Sequence, residues 1–240
     1  MDADRPRRSS QSSPWMWVGC GCGILVALVM AGVTGLTWFG YKAGKRMEKA
    51  REDPVAREQM TREILAYDKL PPGYYSMGAF SIPMLTDIAI FSDRPPDPRG
   101  RDRHEMGDRG FLFLSMHGWM AKEDELTRFL EGKGKRPGWL RRSGAETDIG
   151  EILGRGKVEV GSREMLYMAT RGDVHVQGGS REGLVTWLTV DCPADRRARL
   201  GLWFNPDPAP GKPLQGVDLA GTAADPEAIR AFAEHFRFCG

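Results

Sequence analysis

The sequence predicts an α+β protein with one N-terminal transmembrane helix, then an antiparallel-sheet domain with two packed helices in a sandwich-like arrangement. Three observations lead there. Residues 15–41 contain no charged side chain. Residues 70–240 contain a series of apolar segments with strand periodicity, separated by Gly, Pro and Asp turns. Two further segments, 122–131 and the stretch after Asp225-Pro226, place apolar residues at helical spacing.

Residues 1–14 (MDADRPRRSSQSSP) are short, polar and basic and read as a disordered tail. The uncharged run 15–41 follows. At about 1.5 Å per residue it reaches roughly 40 Å, enough to cross a ~30 Å hydrocarbon core. Trp15 and Trp17 mark one end, and Trp38, Phe39 and Tyr41 the other, as expected of two interfacial belts. A cleaved signal peptide would have a shorter apolar region and a small-residue cleavage site before Lys42, and neither is present. The run is therefore read as an uncleaved single-pass helix with the lipid bilayer as its partner.

Within it, Gly19, Gly23, Ala27, Ala31 and Gly35 recur every four residues and form one small-residue ridge. Close backbone approach along such ridges is a main route to helix pairing in lipid, so a homodimer through this helix is expected. Cys20 and Cys22 share the segment. A lipobox has its apolar run before the cysteine, whereas here it follows. No His, Asp or Glu lies nearby to complete a metal site. Small polarisable helix-surface residues are the simplest reading, with acylation near the membrane boundary as the alternative.

Residues 42–69 read as a charged, mostly helical stalk, with Asp53 as cap and Pro54 at the first helical position. The globular domain is expected over 70–240. Strands are predicted at 74–82 and 87–91, followed by an exposed, proline-broken charged loop at 92–109. GFLFLSMH (110–117) is apolar on both alternating faces, which suits an interior strand. Residues 122–131 form a helix with Glu123, Asp124 and Glu125 at its positive end. A hairpin is predicted over 157–160 and 164–170 around Gly161-Ser162, then strands at 174–177, 184–191 and 199–204. Asp225-Pro226 opens the last helix, with Ile229, Phe232, Ala233 and Phe236 on one face. The opening GYYSMGAFSIP, the mid-chain helix and the closing amphipathic helix after long strands give an element order similar to that of the PsbP/Mog1-like α/β/α sandwich domains. That resemblance implies a fold that hosts many binding roles, with no activity attached.

The 34 Lys/Arg and 32 Asp/Glu leave a formal charge of +2, which gives no sign of a nucleic-acid partner. The residues of catalytic motifs are scattered. His104, His117, His175 and His235 have no second His or Cys at ligand spacing, and HExxH is absent. Gly178-Gly179-Ser180 lacks the GxSxG pattern and reads as a turn. Gly132-Lys133-Gly134-Lys135 lacks P-loop spacing, and Arg171-Gly172-Asp173 fits a strand-connecting turn. No catalytic residue, metal or cofactor is expected. The strongest surface feature is KGKRPGWLRRSG, with Lys133, Lys135, Arg136, Arg141 and Arg142 around Trp139. It suits phosphate head groups or an acidic partner.

Cys192 and Cys239 are the only cysteines outside the membrane run, and a disulfide between them would pin the C-terminus to the sheet. Such a bond requires an oxidising compartment. It places the large domain outside the cytoplasm, whereas the Lys/Arg excess at 42–51 over 5–8 would place it inside. The expected function is a membrane-anchored, non-enzymatic domain for binding or assembly with an unknown protein partner at the cell envelope. A membrane-tethered enzyme with a site assembled from scattered residues is the alternative.

The ridge yields a direct test. Gly23→Ile or Ala27→Ile should hold paired helices apart and reduce association in a bilayer reporter assay, while Leu25→Ile, off the ridge, should be silent.

Overall fold

The computed structural model describes residues 48–50, 52–96, 107–119, 121–142, 149–176, 179–193, 195 and 197–239, with Met30, Thr34, Trp38, 41–42 and 44–46. The ridge Gly19, Gly23, Ala27, Ala31 and Gly35 and most of the run 15–41 lie outside these residues. Among the described residues no helix is long and apolar enough to cross a membrane. The chain divides into two compact units, Met1–Glu48 and Lys49–Gly240. In the first, Met30, Thr34, Trp38 and Tyr41 are helical, and the Thr34 hydroxyl donates to the Met30 carbonyl at 2.8 Å.

The second unit is an α+β fold built on a large antiparallel sheet. It opens with helix α1, Pro54–Ile64. Asp53 caps it by accepting from the Val55 N–H at 2.9 Å, and Pro54 occupies the first turn, where its missing N–H costs nothing. This is the second half of the segment expected as a stalk. It packs on the sheet instead of standing apart, because Thr61 is fully buried and its hydroxyl meets those of Ser76 (2.8 Å) and Tyr67 (3.2 Å).

After α1 come the short strand β1 (Ala66–Tyr67), then β2 (Tyr75–Ile82), β3 (Thr86–Ser92) and β4 (Gly110–His117). Helices α2 (Glu123–Leu130) and α3 (Gly138–Arg142) follow, then β5 (Glu151–Val160), β6 (Arg163–Val176), β7 (Gly179–Val190) and β8 (Arg197–Pro206). Helix α4 (Pro226–Ala233) and β9 (Phe236–Arg237) complete the chain. The main sheet runs β2-β3-β4-β8-β7-β6-β5, every pairing antiparallel, and β1 pairs with β9. Two meanders, β2-β3-β4 and β5-β6-β7-β8, therefore meet at the β4–β8 seam. The α2–α3 connection carries the chain from the centre of the sheet to its far edge.

Side-chain alternation divides the sheet into two faces. Phe91, Phe111, Phe113, Leu184, Leu188 and Trp203 point to one, under α4 and the β1–β9 pair. Leu114, Met168, Val185, Trp187, Leu202 and Phe204 point to the other, under Leu126, Phe129 and Leu130 of α2 and Trp139 and Leu140 of α3. The interior position expected of β4 from its two-sided apolar pattern is the one it occupies.

One expected turn is not a turn. Arg171-Gly172-Asp173 lies inside β6, opposite Leu184, Gly183 and Glu182 of β7, so 174–176 continues the same strand, and Gln177 lies outside the described residues. Of Gly178-Gly179-Ser180, the last two residues open β7 opposite Val176 and His175, and Gly178 lies outside the described residues. Glycines suggested a break, but ladder hydrogen bonding across Gly172–Gly183 carries the strands through it.

Gly201 marks the tightest point of the seam. A Cβ there would sit 2.9 Å from the Phe111 ring and 3.3 Å from Leu188 Cβ. Gly201→Ala should cost about 1–3 kcal/mol by overpacking. Gly78→Ala, with nothing within 4 Å, should stay within about 0.5 kcal/mol. Urea unfolding of residues 49–240 measures both.

Candidate functional site

The basic stretch starts where α2 ends. Gly132, at φ +78°, turns the chain out of the helix. The Lys133 N–H donates to the Arg128 carbonyl (2.8 Å) and the Gly132 N–H to that of Phe129 (3.0 Å), the paired bonds of a Schellman cap. The chain then folds back so closely that a Cβ on Gly134 would lie 3.2 Å from Arg128 Cβ. At its other end, Pro137 is buried and Trp139 and Leu140 sink into the core. Between these anchors the Arg136 guanidinium lies 5.7 Å over the ring of the fully buried Trp187.

The result is a pocket of about 320 Å³. Arg128, Lys133, Lys135 and Arg136 line it with Gly134, Pro137 and Gly138, and Glu125 is the one carboxylate of this lining among the described residues. Lys133 also pairs with Glu131 at 2.9 Å, and Lys122 with Glu125 at 3.7 Å. Arg155 of β5 comes close to the helix end, its guanidinium carbon 3.3 Å from where a Cβ on Gly132 would be.

Of the residues expected at an anionic surface, the structure brings Lys133, Lys135 and Arg136 together. Trp139 is only 8% exposed and packs with Leu140 in the core under this face of the sheet. The side chains of Arg141 and Arg142 lie outside the described residues. Arg128 escaped sequence reasoning, since it sits on the preceding helix; the Gly132 and Gly134 pair that folds the loop back onto it was the available signal.

Cys192 and Cys239 are at disulfide distance, with Cα atoms 5.7 Å apart. Among the described residues no group of three or more His, Cys, Asp or Glu is placed to hold a metal ion. His117 ends β4, the His235 ring lies 3.2 Å from the Lys69 carbonyl, and the side chains of His104 and His175 are outside the described residues. Arg171 serves as a clamp. It donates to Asp207 (2.6 Å) and to the carbonyls of Lys212 (2.6 Å) and Ala209 (2.7 Å), holding the 207–212 loop against the sheet edge. No protein-family model matches the chain, and no curated protein matches it.

Glu123, at the start of α2, is the one carboxylate among the described residues with a clear shift. Burial pushes its pKa above the usual 4.5, and Asp191, Asp124 and Asp195 add to that while Arg199 opposes it. Its Oε1 is buried with no partner among the described residues. A raised folded-state pKa means the group's contribution is fully present below the unfolded value and is lost as pH rises through the folded one. Glu123→Gln should therefore gain stability over the parent as pH rises from about 4 to about 8. Urea midpoints across that range would show a widening gap, and a constant gap would contradict this assignment.

The cysteine pair is tested on native protein by blocking free thiols before non-reducing mass analysis. Both cysteines should remain unmodified, and reduction should cost about 4 kcal/mol for a loop of this length.

Proposed function

We propose that the chain is a single-pass membrane protein presenting a non-enzymatic α+β domain for binding or assembly outside the cytoplasm. The observation that carries the anchoring is the uncharged run 15–41 and the way it ends. Lys42 Nζ lies 5.1 Å over the Trp38 ring, and Lys45 Nζ lies 4.9 Å over the Tyr41 ring. An indole or phenol at headgroup depth, with an ammonium one helical turn further out, suits a membrane boundary. The small-residue ridge supports pairing of two such helices.

The orientation rests on the cysteine pair. The Lys/Arg count favours a cytoplasmic domain, but that rule biases insertion without forbidding the reverse, whereas a persistent structural disulfide requires oxidising surroundings. The binding role draws its support from the rigid basic pocket at the end of α2.

Alkaline carbonate should leave the full-length chain in the membrane pellet, while a fragment beginning at Lys49, which retains α1, should be soluble. Release of the full-length chain by carbonate would remove the anchoring.

A further inference from the structure

We infer that the turns carrying Met84 and Trp119 form a membrane-contact tip, in which these two side chains enter the interfacial layer of a lipid bilayer. The inference goes beyond the binding role proposed above, and its choice of a bilayer as partner rests on the proposed anchoring.

The geometry of the tip is the first ground. The Leu85 N–H donates to the Ile82 carbonyl at 3.0 Å, closing a turn with Pro83 second and Met84 third. Met84 has φ +63° and is the one non-glycine residue with positive φ among the described residues. The third position of such a turn favours glycine, so a larger side chain is kept there against a steric cost. That side chain is 76% exposed, so packing within the domain does little to offset the cost. The turn after β4 carries Trp119, which is 71% exposed. The two turns are joined. The His117 N–H donates to the Leu85 carbonyl at 3.2 Å, and the Trp119 indole N–H donates to the Met84 carbonyl at 3.2 Å. One end of the sheet therefore presents a methionine and a tryptophan together.

The chemistry of these groups selects the partner. The one polar atom of the indole is already hydrogen-bonded, so the ring can leave water without stranding a donor. The charges that flank the two turns are engaged as well. Asp87 accepts from Arg197 at 2.7 Å and from Ser81 at 2.5 Å, and Lys122 pairs with Glu125 at 3.7 Å. Nothing in this set calls for a charged partner. Tryptophan is the side chain typical of bilayer interfaces, and methionine adapts to an irregular apolar layer. Residues 42–53, fully extended, reach about 40 Å, so a domain anchored by the run 15–41 stays close to a bilayer. Two side chains would hold a free domain to lipid only weakly. A tethered domain needs them only to set its orientation.

The test uses full-length protein with photoreactive benzoylphenylalanine in place of Trp119, reconstituted into phosphatidylcholine vesicles and irradiated. The same group in place of Tyr75, 44% exposed at the other end of β2, is the control. Lipid adducts at position 119 should exceed those at position 75 about five-fold or more. Equal yields overturn the tip. A protein-sized adduct at position 119 in place of the lipid adduct, when the native membrane is irradiated, overturns the bilayer as partner. Met84→Gly supplies a second measurement. Glycine suits φ +63°, so the urea midpoint should hold or rise. A lowered midpoint would give Met84 a role in the fold and overturn its assignment to the tip. Carbonate extraction of the same protein reads the anchoring separately. Retention in the pellet with equal yields sinks the tip alone, and release with lipid adducts still formed sinks the anchoring alone.

Discussion

The middle strands of this sheet are apolar on both faces, and most of the architecture follows from having to cover both. β4, β8 and β7 each direct large side chains up and down in alternation. A sheet of that kind is stable only between two layers. On one side the cover is α2 and α3. On the other it is α4, whose Phe232 stacks on Trp203 at 4.3 Å and 9° and meets Phe111 edge-on at 5.2 Å. The polar edge of that cluster is satisfied too. The Trp203 indole donates to the Tyr74 hydroxyl at 2.8 Å, and burial pushes the Tyr74 pKa up to about 12, so the phenol stays neutral.

The second cover arrives last in the chain and is tied down at several points. Asp225 caps α4 by accepting from the Glu227 N–H, and the Thr186 hydroxyl of β7 donates to the Ala223 carbonyl just before it. After the helix, β9 pairs with β1, Arg237 bridges to Asp68, and Cys239 meets Cys192 at the end of β7. A short terminal helix would otherwise fray. The cysteine pair thus closes the layer that the central strands require.

How much of this was legible in the sequence varies with the kind of signal. Local chemistry read well. Asp53-Pro54 and Asp225-Pro226 announced two helix starts, and the two-sided GFLFLSMH announced an interior strand. Features set by distant contacts did not. Two-residue strands such as β1 and β9 have no periodicity of their own and exist only because they pair. β6 runs through Gly172 because β7 places Gly183 opposite, a register no local window contains. At the basic loop the charges were visible, but the fate of Trp139 was not. An indole among arginines fits a wet surface or a buried anchor equally well until the position of α3 is known.

In the proposed function a membrane anchor, a tail-closed domain and a basic pocket act together outside the cytoplasm, so that proposal stands or falls on topology. The most direct measurement fuses alkaline phosphatase, which is active only where disulfides form, to Gly240 of the full-length chain in intact cells, with a fluorescent protein that matures only in the cytoplasm as the paired fusion. The account predicts active phosphatase and a dark fluorescent fusion. An inactive phosphatase with a bright fluorescent fusion would put the domain in the cytoplasm and contradict it.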